Sequence, residues 1–513
     1  MEEIPAEILV SVLQKLNLRD LIRIELINHS FQNLIRNYKW NHITVSMKNT
    51  NAIAFIIKNY QFKKYDFADS EITDEMVCDL GNCHTLNLSK CNSITDSGVK
   101  FLGSCHTLNL FNCNKITDEG VKYLGKCHTI NLSWCPKITD SGVKHLGACH
   151  TLNLLRCREI TDEGVKCLRN CHTLNLSWCL KITDSGVKHL GTCHTLNLCG
   201  CNEITDEGVK YLRNCHTIDL PWCLKITDSS VKHLRTCHTI NLSCCNNITD
   251  EGVKYLADCH TINLFRCKKI TDDGVKCLRN CHTISLADCQ ITDEGIKYLA
   301  NCHVLRLYGC DKITDEGLKC LGNCHAIDLS YCKKITDEGV KYLRACHTIK
   351  LYECEKITDE GVKYLGACRI INLTDCKEIT DSSMKYLGDC HTLILKGCKK
   401  ITDEGVKYLG NCYRISLSGC EKITDLGVKY LEKCHELDLS YCNLITDEGV
   451  KHLGNCHTLD LSGCNLITDE SMQCLKNCYT VDMFPRCNLV TAECVKFLKN
   501  ANVNVNVFRY DDY

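Results

Sequence analysis

Sixteen of the 22 histidines directly follow a cysteine, as at Cys83-His84, Cys105-His106 and Cys127-His128. A thiol beside an imidazole is the raw material of nucleophilic catalysis. The same two residue types ligate zinc. A third constellation, Asp-Glu within Ile-Thr-Asp-Glu-Gly, offers paired carboxylates for acid–base work. All three recur too often along the chain to mark an active site. Neighbouring residues on a strand point to opposite faces, so a Cys-His dipeptide there cannot pair as nucleophile and base. Seven residues separate the two cysteines of each repeat, whereas structural zinc sites favour Cys-x2–4-Cys. P-loop, GxGxxG and GxSxG patterns are absent from the sequence. These histidines are therefore expected on a solvated rim. No catalytic residue, cofactor or metal is expected.

The positions of the cysteines define the elements around them. From Cys83 to Cys281 the first cysteine of each repeat recurs every 22 residues; one step of 21 leads to Cys302, and the 22 spacing then continues to Cys478. A second cysteine follows each by eight residues from Cys91 to Cys464, and by nine at Cys487. The 19 repeats account for 38 of the 46 cysteines. Counting places from the first cysteine, apolar residues fall at places 1, 4, 6, 9 and 12. Leu86 and Leu88 alternate with Thr85, Asn87 and Ser89, the period of a half-buried strand. Thr95 or Asp96 is placed to cap a helix, on which Val99, Leu102 and Cys105 share one face. One strand and one short helix cannot bury their apolar faces alone, so the repeats must stack. Equivalent cysteines in stacked strands project in parallel about 5 Å apart, a poor geometry for disulfides. They read best as small buried hydrophobes in a reducing compartment. Cys199 and Cys244 fall at variable places, where a reactive thiol is expected.

Composition narrows the function classes. Lys+Arg 61 against Asp+Glu 62 leaves a net charge of −1, which disfavours general binding to nucleic-acid backbones. No run of about 18 apolar residues predicts a membrane span. The opening MEEIPAEILV lacks the basic start and apolar run of a secretory signal, so a cytoplasmic or nuclear location is expected.

The pattern CxxLxLxxCxxI followed by Thr-Asp, for example in residues 127–148, resembles the cysteine-containing subclass of leucine-rich repeats. That resemblance covers residues 62–500. It implies an α/β leucine-rich-repeat solenoid, a horseshoe with a parallel concave sheet and outer helices. Phe62, Tyr65, Phe67 and Ser70 form a degenerate first repeat, and Trp40, Ile43 and Val45 fit a further strand. We delimit a linker and capping repeat at 48–82, repeats at 83–499, and a terminal edge strand and tail at 500–513.

Residues 1–47 lack the repeat and show helical periodicity in three pieces. Ile4-Pro5-Ala6-Glu7-Ile8-Leu9, then Leu13, Leu16, Arg19-Asp20-Leu21, Leu26-Ile27, Phe31 and Trp40 resemble an F-box over its full length. Ile stands for the family's Leu at 4, Asn for Ser or Cys at 28, and Phe for Trp at 31. The resemblance implies a small three-helix domain that docks a Skp-type adaptor, and through it a cullin–RING scaffold. Ile4, Pro5, Ile8, Leu9, Leu13, Leu16, Leu21 and Leu26 would carry that contact. The plainer reading is a helical cap for the solenoid.

An F-box before such repeats is similar to the substrate receptors of SCF-type ubiquitin ligases. These do no chemistry themselves and act by holding a protein substrate near a ubiquitin-charged enzyme. Places 7 and 8 vary from repeat to repeat while the apolar places do not. Phe111, Trp134, Arg156, Trp178, Trp222, Phe265, Arg266, Tyr308, Tyr331 and Tyr352 stand there, and Trp and Arg are enriched in interface hot spots. These ten are the expected substrate-binding residues on the concave face, against relaxed drift as the alternative. A stand-alone binding or inhibitor protein, or a decoy that occupies the adaptor, are the other functions compatible with the sequence.

Overall fold

The computed structural model describes residues 6–483, 487, 489–501 and 503–506; for residues 6–8 and 19 it describes the backbone alone. Ile4 and Pro5 of the expected adaptor set, and Pro485, lie outside the described residues. The chain divides into two compact units, Met1–Ile248 and Thr249–Tyr513.

The first unit opens with three helices, α1 (Ala6–Leu13), α2 (Leu18–Glu25) and α3 (His29–Asn37). Asn17 and Asn28 start α2 and α3 by accepting from the backbone N–H groups of Asp20 and Phe31. Strand β1 (Lys39–Ser46), helix α4 (Thr50–Asn59) and strand β2 (Gln61–Asp66) follow. The buried residues of β1 are Trp40, Ile43 and Val45, and those of the next stretch are Phe62, Tyr65 and Phe67. An aromatic column, Tyr60, Phe62, Tyr65 and Phe67, with ring centres 5.4–6.4 Å apart, fills this end. The helices are fastened to it. Trp40 Nε1 donates to the Ile35 carbonyl at 2.8 Å, and buried Glu25 takes Arg36 at 2.5 Å and the hydroxyl of Tyr60. Burial, with the Glu25 carboxylate behind it, pushes that hydroxyl far up.

From β3 (Thr85–Asn87) on, each repeat gives a three-residue strand and a one-turn helix, except the last, whose helix runs from Ala492 to Asn500. The strands of the first unit pair in parallel and in chain order, with equivalent places opposite: Leu86 faces Leu108, and Leu108 faces Ile130. The second unit repeats this from Thr261–Asn263 to Asn504–Asn506, with Ile262 opposite Ile284 and Ile284 opposite Leu305. The 21-residue repeat at Cys281 keeps the register because its missing residue falls after Cys289, outside the strand. Leu86, Leu88, Cys91, Ile94, Val99, Leu102 and Cys105 are all fully buried, so the five apolar places and one helix face form the core of each repeat.

Three side-chain ladders fix one repeat on the next. The second cysteine donates its S–H to the strand-end carbonyl of the preceding repeat, Cys135 to Leu110 at 3.2 Å and Cys332 to Leu307 at 3.2 Å. The place-14 aspartate accepts from the following repeat's threonine, through both its backbone N–H and its hydroxyl. The cap itself comes from that threonine: Thr95 accepts from Ser97 N–H, while Asp96 is spent on Thr117. Imidazoles at place 2 form the third ladder. His84 to His238 stack in the first unit with centres 4.5–4.7 Å apart and planes within 13°. In the second, His260 to His347 follow at 4.5–4.6 Å, with His303 tilted 31° from His282 where the repeat is short, and after Arg369 the row resumes as His391, Tyr413, His435, His457 and Tyr479. The rim histidines thus stack on one another, because strands in parallel register bring equivalent side chains to van der Waals distance.

Candidate interaction surface

The variable places sit on a turn with demanding geometry. Among the described residues, place 8 is left-handed from Lys90 to Gly463, with φ of 60° at Trp134, 61° at Arg156, 60° at Trp178 and 62° at Trp222. Non-glycine residues pay for that conformation in steric strain, most of all when β-branched. The turn is held from place 5: the Asn131 side chain accepts from the Ser133 N–H at 3.0 Å, and Asn153 from Leu155 N–H at 3.0 Å. In the second unit Asp328, Asp438 and Asp460 do the same for Ser330, Ser440 and Ser462. The shift from Asn to Asp at place 5 therefore preserves an acceptor. At Pro221 the N–H is missing, and Asp219 instead accepts from Asn197. The signal for this turn was in the sequence: Gly stands at place 8 in five repeats, and Val, Ile and Thr never occur there.

In the first unit the expected residues form one row. The Arg156 guanidinium carbon lies 4.1 Å from the Trp134 ring centre and 5.8 Å from that of Trp178. Trp178 in turn lies over Gly200, where a Cβ would come within 2.8 Å of the indole. Trp134 is 41% exposed and Trp222 45% exposed. Phe111, Arg156 and Trp178 are half-buried, the last two leaning on one another along the row.

The second unit carries a different surface. Tyr308, Tyr331 and Tyr352 pack edge to face, with centres 4.9 and 4.8 Å apart. The Tyr331 hydroxyl reaches Glu353 at 3.1 Å. Arg266 lies 4.9 Å from the Phe265 ring centre and is paired with Asp288 at 2.9 Å. Beside this pair, where the short repeat omits a residue, opens a cleft of about 590 Å³ bounded by Lys268, Gln290, Asp311 and Lys312.

The thiols are placed otherwise than expected. Cys244 is 3% exposed, Cys199 is half-buried and its thiol is pushed up by burial, while Cys78 and Cys167 are exposed. The turn tucks place-8 Cys244 against its neighbours, while Cys78 and Cys167 lie at helix places that face solvent.

At the N-terminus the expected adaptor set divides. Leu13 and Leu21 are buried in the chain's own packing and shape the segment; Leu9 and Leu16 are half-buried, and the Ile8 side chain is outside the described residues. Leu26 is 81% exposed, its neighbour Ile27 66% and, on α1, Val12 56%.

The Leucine Rich repeat profile matches eleven segments, 84–103, 106–125, 128–147, 194–212, 233–257, 282–300, 303–322, 325–343, 391–410, 435–454 and 457–476. These units are leucine-rich repeats. Solved leucine-rich-repeat structures share the fold. The TLR13–ssRNA13 complex matches with a TM-score of 0.56 and 18% identity over 85% of this chain and 79% of that one. The mouse RP105/MD-1 complex matches with a TM-score of 0.50 and 13% identity over 87% and 91%. At these identities the likeness is one of fold. Comparison with curated proteins gives no match. The repeats before the last bury five places and a helix face in every copy, which leaves places 7 and 8 as positions where one copy can differ from the next. Among the described residues, no helix is long and apolar enough to cross a membrane.

Proposed function

We propose that this protein is a non-catalytic substrate receptor of an SCF-type ubiquitin ligase: its leucine-rich repeats capture a protein, and residues 1–47 dock a Skp-type adaptor on a cullin–RING scaffold. The observation that carries the capture half is the Trp134–Arg156–Trp178–Trp222 row, large side chains, two exposed and two half-buried, on strained turns that the fold alone does not require. Support for the docking half is the resemblance of residues 4–40 to an F-box, together with Val12, Leu26 and Ile27 left exposed beside three helices. The relatives of like fold are solved in complexes, one with single-stranded RNA and one with MD-1, and a ligand-binding role for this chain agrees with that.

Co-precipitation with a purified Skp-type adaptor tests the docking half. Leu26→Glu with Ile27→Glu removes an exposed apolar pair without opening the core, and is expected to abolish adaptor binding. Wild-type protein that binds no adaptor overturns the ligase reading. A second reading has its own observation: Glu25, Arg36 and Tyr60 lock the helices to the first repeats, as a cap requires. A cap without adaptor affinity leaves a stand-alone binding protein. Cullin-dependent ubiquitination of a captured protein excludes the decoy.

A further inference from the structure

Arg156 and Arg266 occupy the same place in different repeats, and the fold treats their charges differently. Arg266 is neutralised by Asp288 at 2.9 Å. Arg156 is flanked by two indoles, and among the described residues no hydrogen bond or ion pair engages its guanidinium. From Asn112 to Trp222 it is the one charged residue at places 7 and 8; its companions there are Ser133, Trp134, Leu155, Ser177, Trp178, Cys199, Gly200 and Pro221. A guanidinium held by aromatic neighbours loses little rotamer freedom on binding and presents a fork suited to a bidentate anion.

We propose that this row binds a partner protein through an aspartate or glutamate side chain flanked by apolar residues, the carboxylate pairing with Arg156 and the apolar residues lying against Trp134, Trp178 and Trp222. The proposal rests on the protein-capture reading above and names the chemistry of what is captured. Charge complementarity selects the ligand. One isolated cation matches a carboxylate monoanion; a phosphate dianion would keep uncompensated charge. A nucleic-acid strand would need a line of cations where the row offers one. The indoles also lower the local polarity, which strengthens a single ion pair.

The test uses the full-length protein and three peptide pools with randomised flanks around a central glutamate, glutamine or phosphoserine. A single-stranded oligouridylate serves as a fourth probe. Binders are expected from the glutamate pool. They should weaken about tenfold or more when their glutamate becomes glutamine, and by a similar factor on Arg156→Met. Arg156→Lys should recover part of the loss. Trp134→Ala should weaken binding whichever residue is central, because it removes apolar contact. Circular dichroism and the thermal midpoint confirm that each variant folds. Glutamate binders that ignore Arg156→Met overturn the carboxylate assignment and leave protein capture standing. Preference for the phosphoserine pool, or tight binding of the oligouridylate, overturns it in favour of a phosphate ligand. Wild-type protein that selects no peptide from any pool overturns both this proposal and capture by this row.

Discussion

The carboxylate of Asp118 grips Thr139 of the next repeat with both oxygens, accepting from the backbone N–H at 2.8 Å and from the hydroxyl at 2.6 Å. The grip explains the glycine two places after each aspartate. A Cβ on Gly142 would stand 2.4 Å from Asp118 Oδ1. Three repeats carry serine there, and Ser230 donates its hydroxyl to Asp206.

Gly142→Ala is therefore expected to destabilise the protein by about 1–3 kcal/mol. Gly142→Ser carries the same Cβ but should cost less, since its hydroxyl can donate to Asp118 as Ser230 does to Asp206 and so offset the crowding. Urea unfolding of the two variants checks the order; alanine milder than serine would sink this account of the ladder.

Stability should fall as pH drops, in two stages. Burial first, then the neighbouring imidazoles, holds His128, His172, His216, His282 and His347 below the ordinary histidine value. The unfolded chain then binds more protons than the folded one. This contribution is complete above about pH 6.5 and is lost as pH falls below it. At Asp206 burial opposes ionisation, but hydrogen bonds from Ser230 and Thr227 prevail and hold its carboxyl low; Asp447, beside Ser471 and Thr468, behaves alike. Their contribution is present above about pH 4 and lost below it. Thermal midpoints from pH 8 to 3 report both stages. Replacing His128 and His172 by Asn should flatten the first, and Ser230→Gly should weaken the second.

Place 8 predicts a substitution rule. Lys90 has φ 61°. Lys90→Val should be less stable than Lys90→Gly by about 1–2 kcal/mol, because only glycine adopts this conformation without strain. Equal denaturation midpoints would show that the turn relaxes.

Thiol chemistry should follow burial. Cys113 is pushed up to about 12 and Cys135 to about 11, chiefly by burial. Almost no thiolate exists at such sites near neutral pH. Iodoacetamide on native protein, followed by peptide mass spectrometry, should modify exposed Cys78 and Cys167 first. Equal labelling of Cys113 would contradict a packed core.

The alternation of Leu86 and Leu88, the recurring cysteines and the helix face of Val99 and Leu102 already determine the strand, the short helix and the need to stack. Those features depend on polarity and period within one repeat, which a sequence displays directly. Asp118 on Thr139, the stack of His84 to His238, and Arg156 free beside two indoles while Arg266 is paired were decided by the tertiary structure. Each depends on the register between successive repeats or on the sign of a backbone angle, and the composition of a single repeat encodes neither. Leu13 and Leu21 show the same limit at the N-terminus: their spacing marks a helical face, but only packing decides that they turn inward while Leu26 turns out.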